Sequence, residues 1–130
     1  MKMPTPLMFV LWIALSFSGC SSHEVQLRLS GARMLSQSEL ENLFHAERTV
    51  EFPILGQVAT VDYYPDGRQV IHWDNGTDTG TFRIENDWFC STWSRLRNGE
   101  ESCSKIYEIS ETEYEFVGSD GTSAAIMRLK

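Results

Sequence analysis

Three cysteines and three histidines are the residues of this chain best suited to metal or covalent chemistry. His23, His45 and His72 are scattered and lack the i, i+4 spacing that presents two imidazoles to one metal ion. The segment DNGTDTG at 74–80 offers oxygen ligands, but Gly76 interrupts the residue order of a calcium loop. We therefore expect no metal site and no cofactor.

No recognised catalytic pattern can be assembled from the sequence. His72 could pair with the carboxylate of Asp74 on one strand face, although a histidine at the surface or core edge explains the same pattern. The chain has no GxSxG motif and no phosphate-binding loop, and no pair among its 18 acidic residues stands out as acid and base. We expect that the protein is not an enzyme, with a small carboxylate-dependent hydrolase as the remaining alternative.

The amino-terminal segment has the pattern of an export signal. Lys2 precedes an apolar run over residues 7–17, which is shorter than the about 20 residues that span a bilayer. The letters FSGC at 17–20 resemble the lipobox of bacterial lipoproteins, with Phe17 where leucine is usual. The resemblance implies a signal peptide over 1–19 and acylation of Cys20, including palmitate. An ordinary secretory signal cut elsewhere is the alternative.

Acylation would set the location of the protein and the state of its other two cysteines. Two or three acyl chains hold a protein to a membrane durably. By the same resemblance, Ser21 after Cys20 favours the periplasmic face of the bacterial outer membrane. Cys90 and Cys103 then remain as an even pair in an oxidising compartment, where a disulfide is the default state.

The charge balance bears on the kind of partner. The 130 residues contain 11 Lys and Arg against 18 Asp and Glu, and the formal net charge is −7. Nucleic-acid binding depends on clustered cations that displace counterions from phosphates. We expect no nucleic acid among the partners. The expected partners are the membrane, through acyl chains on Cys20, and an envelope protein or a small ligand.

One short helix is expected near the start of a single folded domain. Residues 20–34 lack a settled periodicity and are predicted to form a tether, and the domain is predicted over 35–130. Ser36 and Glu39 have the spacing of a capping box, which together with the apolar residues that follow predicts a helix over 36–47. The expected role of this helix is to cover one end of a sheet or barrel.

The sequence after residue 53 predicts short strands joined by tight turns. YPDG at 64–67 has the residues of a hairpin turn, and DNG, END and SDG are turns of the same kind. In ETEYEFV at 111–117, glutamates alternate with Tyr114 and Phe116, which predicts a strand with one solvent-exposed face and one buried face. Six or seven strands predict a mainly β fold, an antiparallel meander that forms a barrel or a strongly bent sheet.

The two later cysteines constrain the pairing of their strands. A two-residue turn at Asn98–Gly99 would offset Cys90 from Cys103 by four residues, about 13 Å along a strand. A disulfide requires Cα atoms within about 7 Å, so the tight turn and the bridge exclude each other. We predict the bridge, with the two cysteines directly opposite each other and residues 94–102 as a wider loop.

A second resemblance covers about residues 35–117. The order LSQSELENLF, YYPDGR, GTFRIENDWFCSTW and a second cysteine before YEIS is similar to a family of small exported bacterial proteins of unknown function. The spacing of Cys90, Trp93 and Cys103 is the most specific part, and Phe82 stands where the family often has tryptophan. The resemblance implies an extracytoplasmic β-rich domain and no particular chemistry.

Aromatic residues are concentrated in the middle of the chain. Alternation places Trp88 with Cys90 on one strand face and Phe89 with Trp93 on the other, so one set faces solvent or a partner unless the strand twists. Core packing is the competing explanation. The expected partner or ligand contacts are Trp73, Trp88, Trp93, Arg95 and Arg97.

The functional hypothesis combines the anchor with these contacts. We expect a membrane-anchored periplasmic lipoprotein that acts as a non-catalytic binding module. The alternative is a structural or accessory lipoprotein of an envelope complex. A cavity in the barrel mouth would favour binding, and a flat apolar patch would favour the accessory role.

Overall fold

The computed structural model describes residues 23–54 and 56–130. Eight strands form a closed antiparallel barrel, with one short extra strand and two short helices outside the barrel wall. In chain order the elements are α1 (His23–Leu29), β1 (Arg33–Met34), α2 (Gln37–Leu43), β2 (Arg48–Ile54), β3 (Gln57–Tyr63), β4 (Arg68–Trp73), β5 (Gly76–Glu85), β6 (Trp88–Trp93), a 3₁₀ turn (Leu96–Gly99), β7 (Ser102–Glu108), β8 (Glu113–Gly118) and β9 (Ser123–Leu129).

The barrel closes because its last strand returns to its first. Strands β2 to β9 pair in sequence order, and β9 then pairs with β2 through Val50 opposite Leu129. The short strand β1 pairs with the end of β7, where Arg33 lies opposite Glu108. Strand β6 pairs only with the start of β7, at residues 102–104, so β1 and β6 occupy different parts of the same side of β7. Every strand of the barrel wall thus has a partner on both sides, which removes the open edges of a sheet. The predicted mainly β fold is confirmed.

The barrel has one strand more than the sequence predicts, because residues 48–54 form β2. Pro53 argues against a central strand, since proline cannot donate a ladder hydrogen bond. Pro53 is tolerated because β2 pairs with β9 only at Val50 and Glu51, so Pro53 has a paired strand on one side only. The predicted hairpin turn at 64–67 is confirmed, with Gly67 at φ +96°.

Inward-facing aromatic side chains fill the half of the barrel nearest α2. Phe89 is nearly fully buried and lies within 6 Å, centroid to centroid, of the rings of Phe44, Tyr63, Phe82 and Phe116. Tilted and edge-to-face rings at these distances contribute beyond the area that they bury. The aromatic cluster therefore accounts for much of the core.

Helix α2 plugs one end of the barrel, as expected. The Ser36 hydroxyl accepts from the Glu39 backbone N–H, and a Glu39 carboxylate oxygen accepts from the Ser36 N–H, so the capping box is confirmed. Leu40 is fully buried, and Phe44 packs into the aromatic cluster. The helix is shorter than the predicted 36–47, because the chain must turn after Phe44 to enter β2 at Arg48.

The predicted tether over 20–34 is wrong for its described part, residues 23–34. These residues form α1 and β1 and pack on the outer wall of β7 and β8, where Leu27, Ala32, Tyr107 and Val117 make a second buried cluster. Only one residue of α1, Leu27, is buried, so the helix has almost no apolar periodicity to reveal it.

Helix α1 also corrects the prediction for strand β8. Glu115, expected on a wet face, is only 8% exposed and pairs with the His23 side chain, and Val117 on the same outer face lies against Leu27. Strand β8 is therefore buried on both faces near its end, because α1 covers the outer one.

The predicted signal peptide, residues 1–19, and the lipid attachment residue Cys20 lie outside the described residues. Neither of the helices described in the structure is long and apolar enough to cross a membrane.

Candidate functional site

The end of the barrel opposite α2 is here called the mouth. It is formed by the β4–β5 turn at 74–75, the loop 94–101 between β6 and β7, and the β8–β9 turn at 119–122. A cavity of about 160 Å³ opens there into the barrel interior. Its wall combines aromatic rings, alanines and serine hydroxyls, among them Phe52, Trp93, Phe116, Ala125, Ser91 and Ser104.

An apolar recess adjoins this cavity at the same end. Trp73 lines it together with Ala59 and Leu96, and Ile71 lines both the recess and the main cavity. Gln57 also lines the recess, and its buried Oε1 has no hydrogen-bond partner among the described residues. The mouth therefore has two connected apolar surfaces and one unpaired carbonyl oxygen.

Arg97 stands at the rim of the main cavity. Its Nη2 donates to the Ser91 hydroxyl at 3.0 Å, and the side chain is exposed to solvent on its outer side. Desolvation by the surrounding mouth atoms lowers the pKa of Arg97, and the nearby Tyr63 hydroxyl opposes this effect. The guanidinium is thus a positive charge partly withdrawn from water at the entrance to an apolar space.

Asp78 holds the loop that carries Arg97. Its side chain is buried, and its oxygens accept hydrogen bonds from the backbone N–H groups of Leu96 at 2.9 Å, Arg95 at 3.0 Å and Thr79 at 2.9 Å. The Leu96 N–H bond is the largest cause of a lowered pKa at Asp78, with smaller contributions from the Arg95 and Thr79 N–H groups. Asp78 therefore anchors the start of the 3₁₀ turn to β5.

Arg95 lies beside the mouth and contacts strand β5. Its Nε lies 3.7 Å from an Asp78 oxygen, and its guanidinium donates to the Thr77 carbonyl. Both partners belong to β5, so Arg95 helps to hold the loop against the barrel.

Trp88 lies away from the mouth, on the outer wall of β6. The Lys105 ammonium is 5.1 Å from the centre of the Trp88 ring, a cation–π contact across neighbouring strands. Of the five predicted contact residues, the structure brings Trp73, Trp93 and Arg97 together at the mouth, places Arg95 beside it and leaves Trp88 outside.

The disulfide joins Cys90 and Cys103 directly across β6 and β7. The Cα atoms are 4.0 Å apart, and the register also pairs Phe89 with Ser104. This is the predicted pairing, and it ties the base of the mouth loop. The Glu101 carboxylate lies within 4.8 Å of both sulfurs, but disulfide sulfurs are not thiolate ligands, so these three groups do not make a metal site.

His72 pairs with a different carboxylate from the one predicted. Its Nε2 lies 3.2 Å from Asp62 Oδ2 on β3, whereas Asp74 is in the β4–β5 turn. His72 is opposite Thr60 in the ladder, so Asp62 is its diagonal neighbour on the same outer face. This exposed pair lies on the barrel wall, outside the mouth.

The sequence did not single out Asp78, Tyr63 or the mouth serines as site residues. A signal existed for Asp78, because β5 alternates strictly and Asp78 shares the inward face with Gly80 and Phe82. A carboxylate at an inward position of a barrel strand needs internal donors. Comparison of the chain with protein-family models, curated proteins and solved structures gave no significant match.

Proposed function

We propose that this protein is a lipid-anchored periplasmic lipoprotein whose barrel acts as a non-catalytic binding module, with the mouth as its binding site. The observation that carries the proposal is a cavity of about 160 Å³ that enters the barrel interior at the mouth, beneath the Arg97 guanidinium. The larger hollow at the other end, about 400 Å³, lies between α2 and the strand ends and is lined by the paired charges of Arg33, Glu39 and Glu108. Eight-stranded barrels are just wide enough to fill with side chains or to hold one small ligand.

The chemistry of the mouth supports binding rather than catalysis. Among the described residues that line the main cavity and the recess, none is Asp, Glu, His or Cys. The serine hydroxyls there have no base beside them, and no carboxylate pair converges on the space. Aromatic walls with a few polar groups are typical of small-molecule binding sites.

The location in this proposal rests on the sequence. The FSGC letters resemble a lipobox, so Cys20 would carry the acyl chains, and Ser21 favours the periplasmic face of the outer membrane. A module held there would meet envelope proteins or small ligands at the membrane surface. A hollow mouth suits this role better than the flat apolar patch that would indicate an accessory subunit.

Site-specific photo-crosslinking in intact membranes tests the proposal. A photoreactive residue at Ala124, exposed on the mouth rim, is expected to capture a defined envelope component. The same residue at Asp66, exposed in the turn at the plugged end, is the control and is expected to capture nothing specific. The captured component is expected to disappear with Ala125→Phe, which fills the cavity, and with Cys20→Ser, which removes the anchor. Capture that survives Ala125→Phe would contradict the proposal.

A further inference from the structure

We infer that the mouth recognises a single carboxylate on an apolar body no larger than about one aromatic ring, and that Arg97 binds the carboxylate. The inference rests on the proposed binding function and names the chemistry of its ligand. Arginine suits this task because its planar guanidinium matches the geometry of a carboxylate.

The first argument is that Arg97 lacks an internal counterion. No carboxylate oxygen of the described residues lies within 4.0 Å of its guanidinium, although the chain has an excess of acids. Arg28 and Arg48 also lack such a partner, but neither lines the mouth cavity, and the other five arginines of the described residues do have one. These pairs are Arg33 with Glu39, Arg68 with Asp66, Arg83 with Glu101, Arg95 with Asp78 and Arg128 with Glu113.

The second argument is the surroundings of the charge. Arg97 is desolvated on its inner side by the cavity wall, and its bond to the Ser91 hydroxyl is to a neutral group. A cation partly withdrawn from water without a counterion carries an electrostatic cost, and an incoming anion would reduce that cost. The arrangement therefore favours an anionic ligand over a neutral one.

The third argument is the size and lining of the cavity. A space of about 160 Å³ is close to that of an apolar protein cavity known to bind benzene. Phe52, Trp93 and Phe116 offer ring faces and edges to an apolar body, while the Ser102 and Ser104 hydroxyls can serve only a few polar atoms. The lining suits one small apolar group with its charge held at the rim.

The backbone presents Arg97 in a fixed position. Arg97 and Asn98 both have left-handed conformations, at φ +54° and +56°, which non-glycine residues adopt at an energetic cost. The Asp78 hydrogen bonds and the disulfide hold the two ends of this loop. A loop held at both ends loses little backbone freedom when a ligand binds.

An NMR titration of the exported chain with Cys20→Ser tests the inference, with benzoate and benzyl alcohol as probes. Both probes carry one ring, and only benzoate carries a carboxylate. Benzoate is expected to shift the amide signals of β6, β7 and the 3₁₀ turn, and to bind at least tenfold more tightly than benzyl alcohol. Equal binding of the two probes to the unsubstituted mouth would overturn the inference.

Variants separate the role of Arg97 from a general effect on folding. Arg97→Gln is expected to remove the tenfold preference for benzoate while weak binding of benzyl alcohol persists. Arg97→Lys keeps the charge without the planar fork and is expected to retain part of the preference. Arg68→Gln, the same change at the start of β4 at the plugged end, is the control and is expected to retain the whole preference. A preference that survives Arg97→Gln would contradict the inference.

Failure of the inference can be told from failure of the proposed function. If neither probe binds but crosslinking from Ala124 still disappears with Ala125→Phe, the mouth binds a ligand of other chemistry and only the inference is wrong. The proposed binding function itself is wrong if crosslinking from Ala124 captures no component, or if every captured component is still captured in Ala125→Phe.

Discussion

The two ends of the barrel are built from the same strands but differ in how their space is used. At the plugged end, Phe44 after α2 packs against the rings of Tyr63, Phe82 and Phe89, and Leu40 is fully buried. The hollow that remains there, about 400 Å³, lies between α2 and the strand ends. At the mouth the inward positions include alanines and serines, and about 160 Å³ remains open. The size of the inward-facing side chains therefore determines which part of a barrel of this width is filled as core and which part keeps a cavity.

The two ends differ in their charges as well. At the plugged end Arg33 lies between Glu39 and Glu108, at 2.5 and 3.4 Å, so its charge is balanced within the protein. At the mouth Arg97 has only neutral partners among the described residues. The charge of Arg33 is thus neutralised within the protein, whereas we propose that a bound anion neutralises the charge of Arg97.

The largest effect is expected at the plugged end. Leu40→Ala removes a fully buried side chain and should lower the free energy of unfolding by about 2–5 kcal/mol, because a cavity is left where α2 meets the barrel. Urea unfolding measures it. Leu29→Ala, the same change at a side chain that is 82% exposed, should stay within about 0.5 kcal/mol. Similar losses for both variants would mean that α2 is not part of the core.

A smaller effect on stability is expected from removing the disulfide between β6 and β7, beside the mouth. The double variant Cys90→Ala and Cys103→Ala should lower the free energy of unfolding by about 3 kcal/mol, because the bridge closes a short loop in the unfolded chain. Urea unfolding of the oxidised protein, of the reduced protein and of the variant gives the comparison. The reduced protein should have the same free energy of unfolding as the variant. A variant as stable as the oxidised protein would show that the disulfide does not stabilise the fold.

The smallest and most local effect is expected at Asp78. Its pKa in the folded protein lies below the ordinary value of 3.8, so its contribution to stability is present above that pH and is lost as the pH falls through the lower folded-state pKa. Asp78→Asn should remove this part of the acid sensitivity and speed hydrogen exchange at the Arg95 and Leu96 amides. Asp66→Asn at the plugged end is the control for the exchange measurement, since Asp66 bonds only to Arg68 and to neither of these amides. Unchanged exchange in Asp78→Asn would contradict the anchoring role.

Local patterns predicted much of the fold. The capping box of Ser36 and Glu39, the turn at 64–67 and the opposition of Cys90 and Cys103 all depend on residues close in sequence or on covalent geometry. Barrel closure involves the long-range pairing of β2 with β9, which no local pattern encodes. The sequence therefore predicted a curved meander but could not distinguish a bent sheet from a closed barrel.

The mouth was harder to predict because its parts come from distant segments. Asp78 acts through backbone N–H groups of residues 95 and 96, and backbone donors leave no residue-type signature. Arg97 was identified as a contact, but its lack of a counterion is visible only once every carboxylate has been placed. Helix α1 was missed because a single buried leucine gives no periodicity.

Because α1 packs on the barrel wall, only a short segment separates the folded domain from the proposed lipid anchor at Cys20. Three residue steps separate Cys20 from His23, and they span about 10 Å at most. Glu24 at the start of α1 accepts a hydrogen bond from the Tyr107 hydroxyl of β7 at 2.6 Å. Its other carboxylate oxygen lies 4.0 Å from the point where a Cβ on Gly121, in the β8–β9 turn, would stand. If Cys20 is acylated, as we propose, the barrel would therefore lie within about 10 Å of the lipid headgroups at the start of α1.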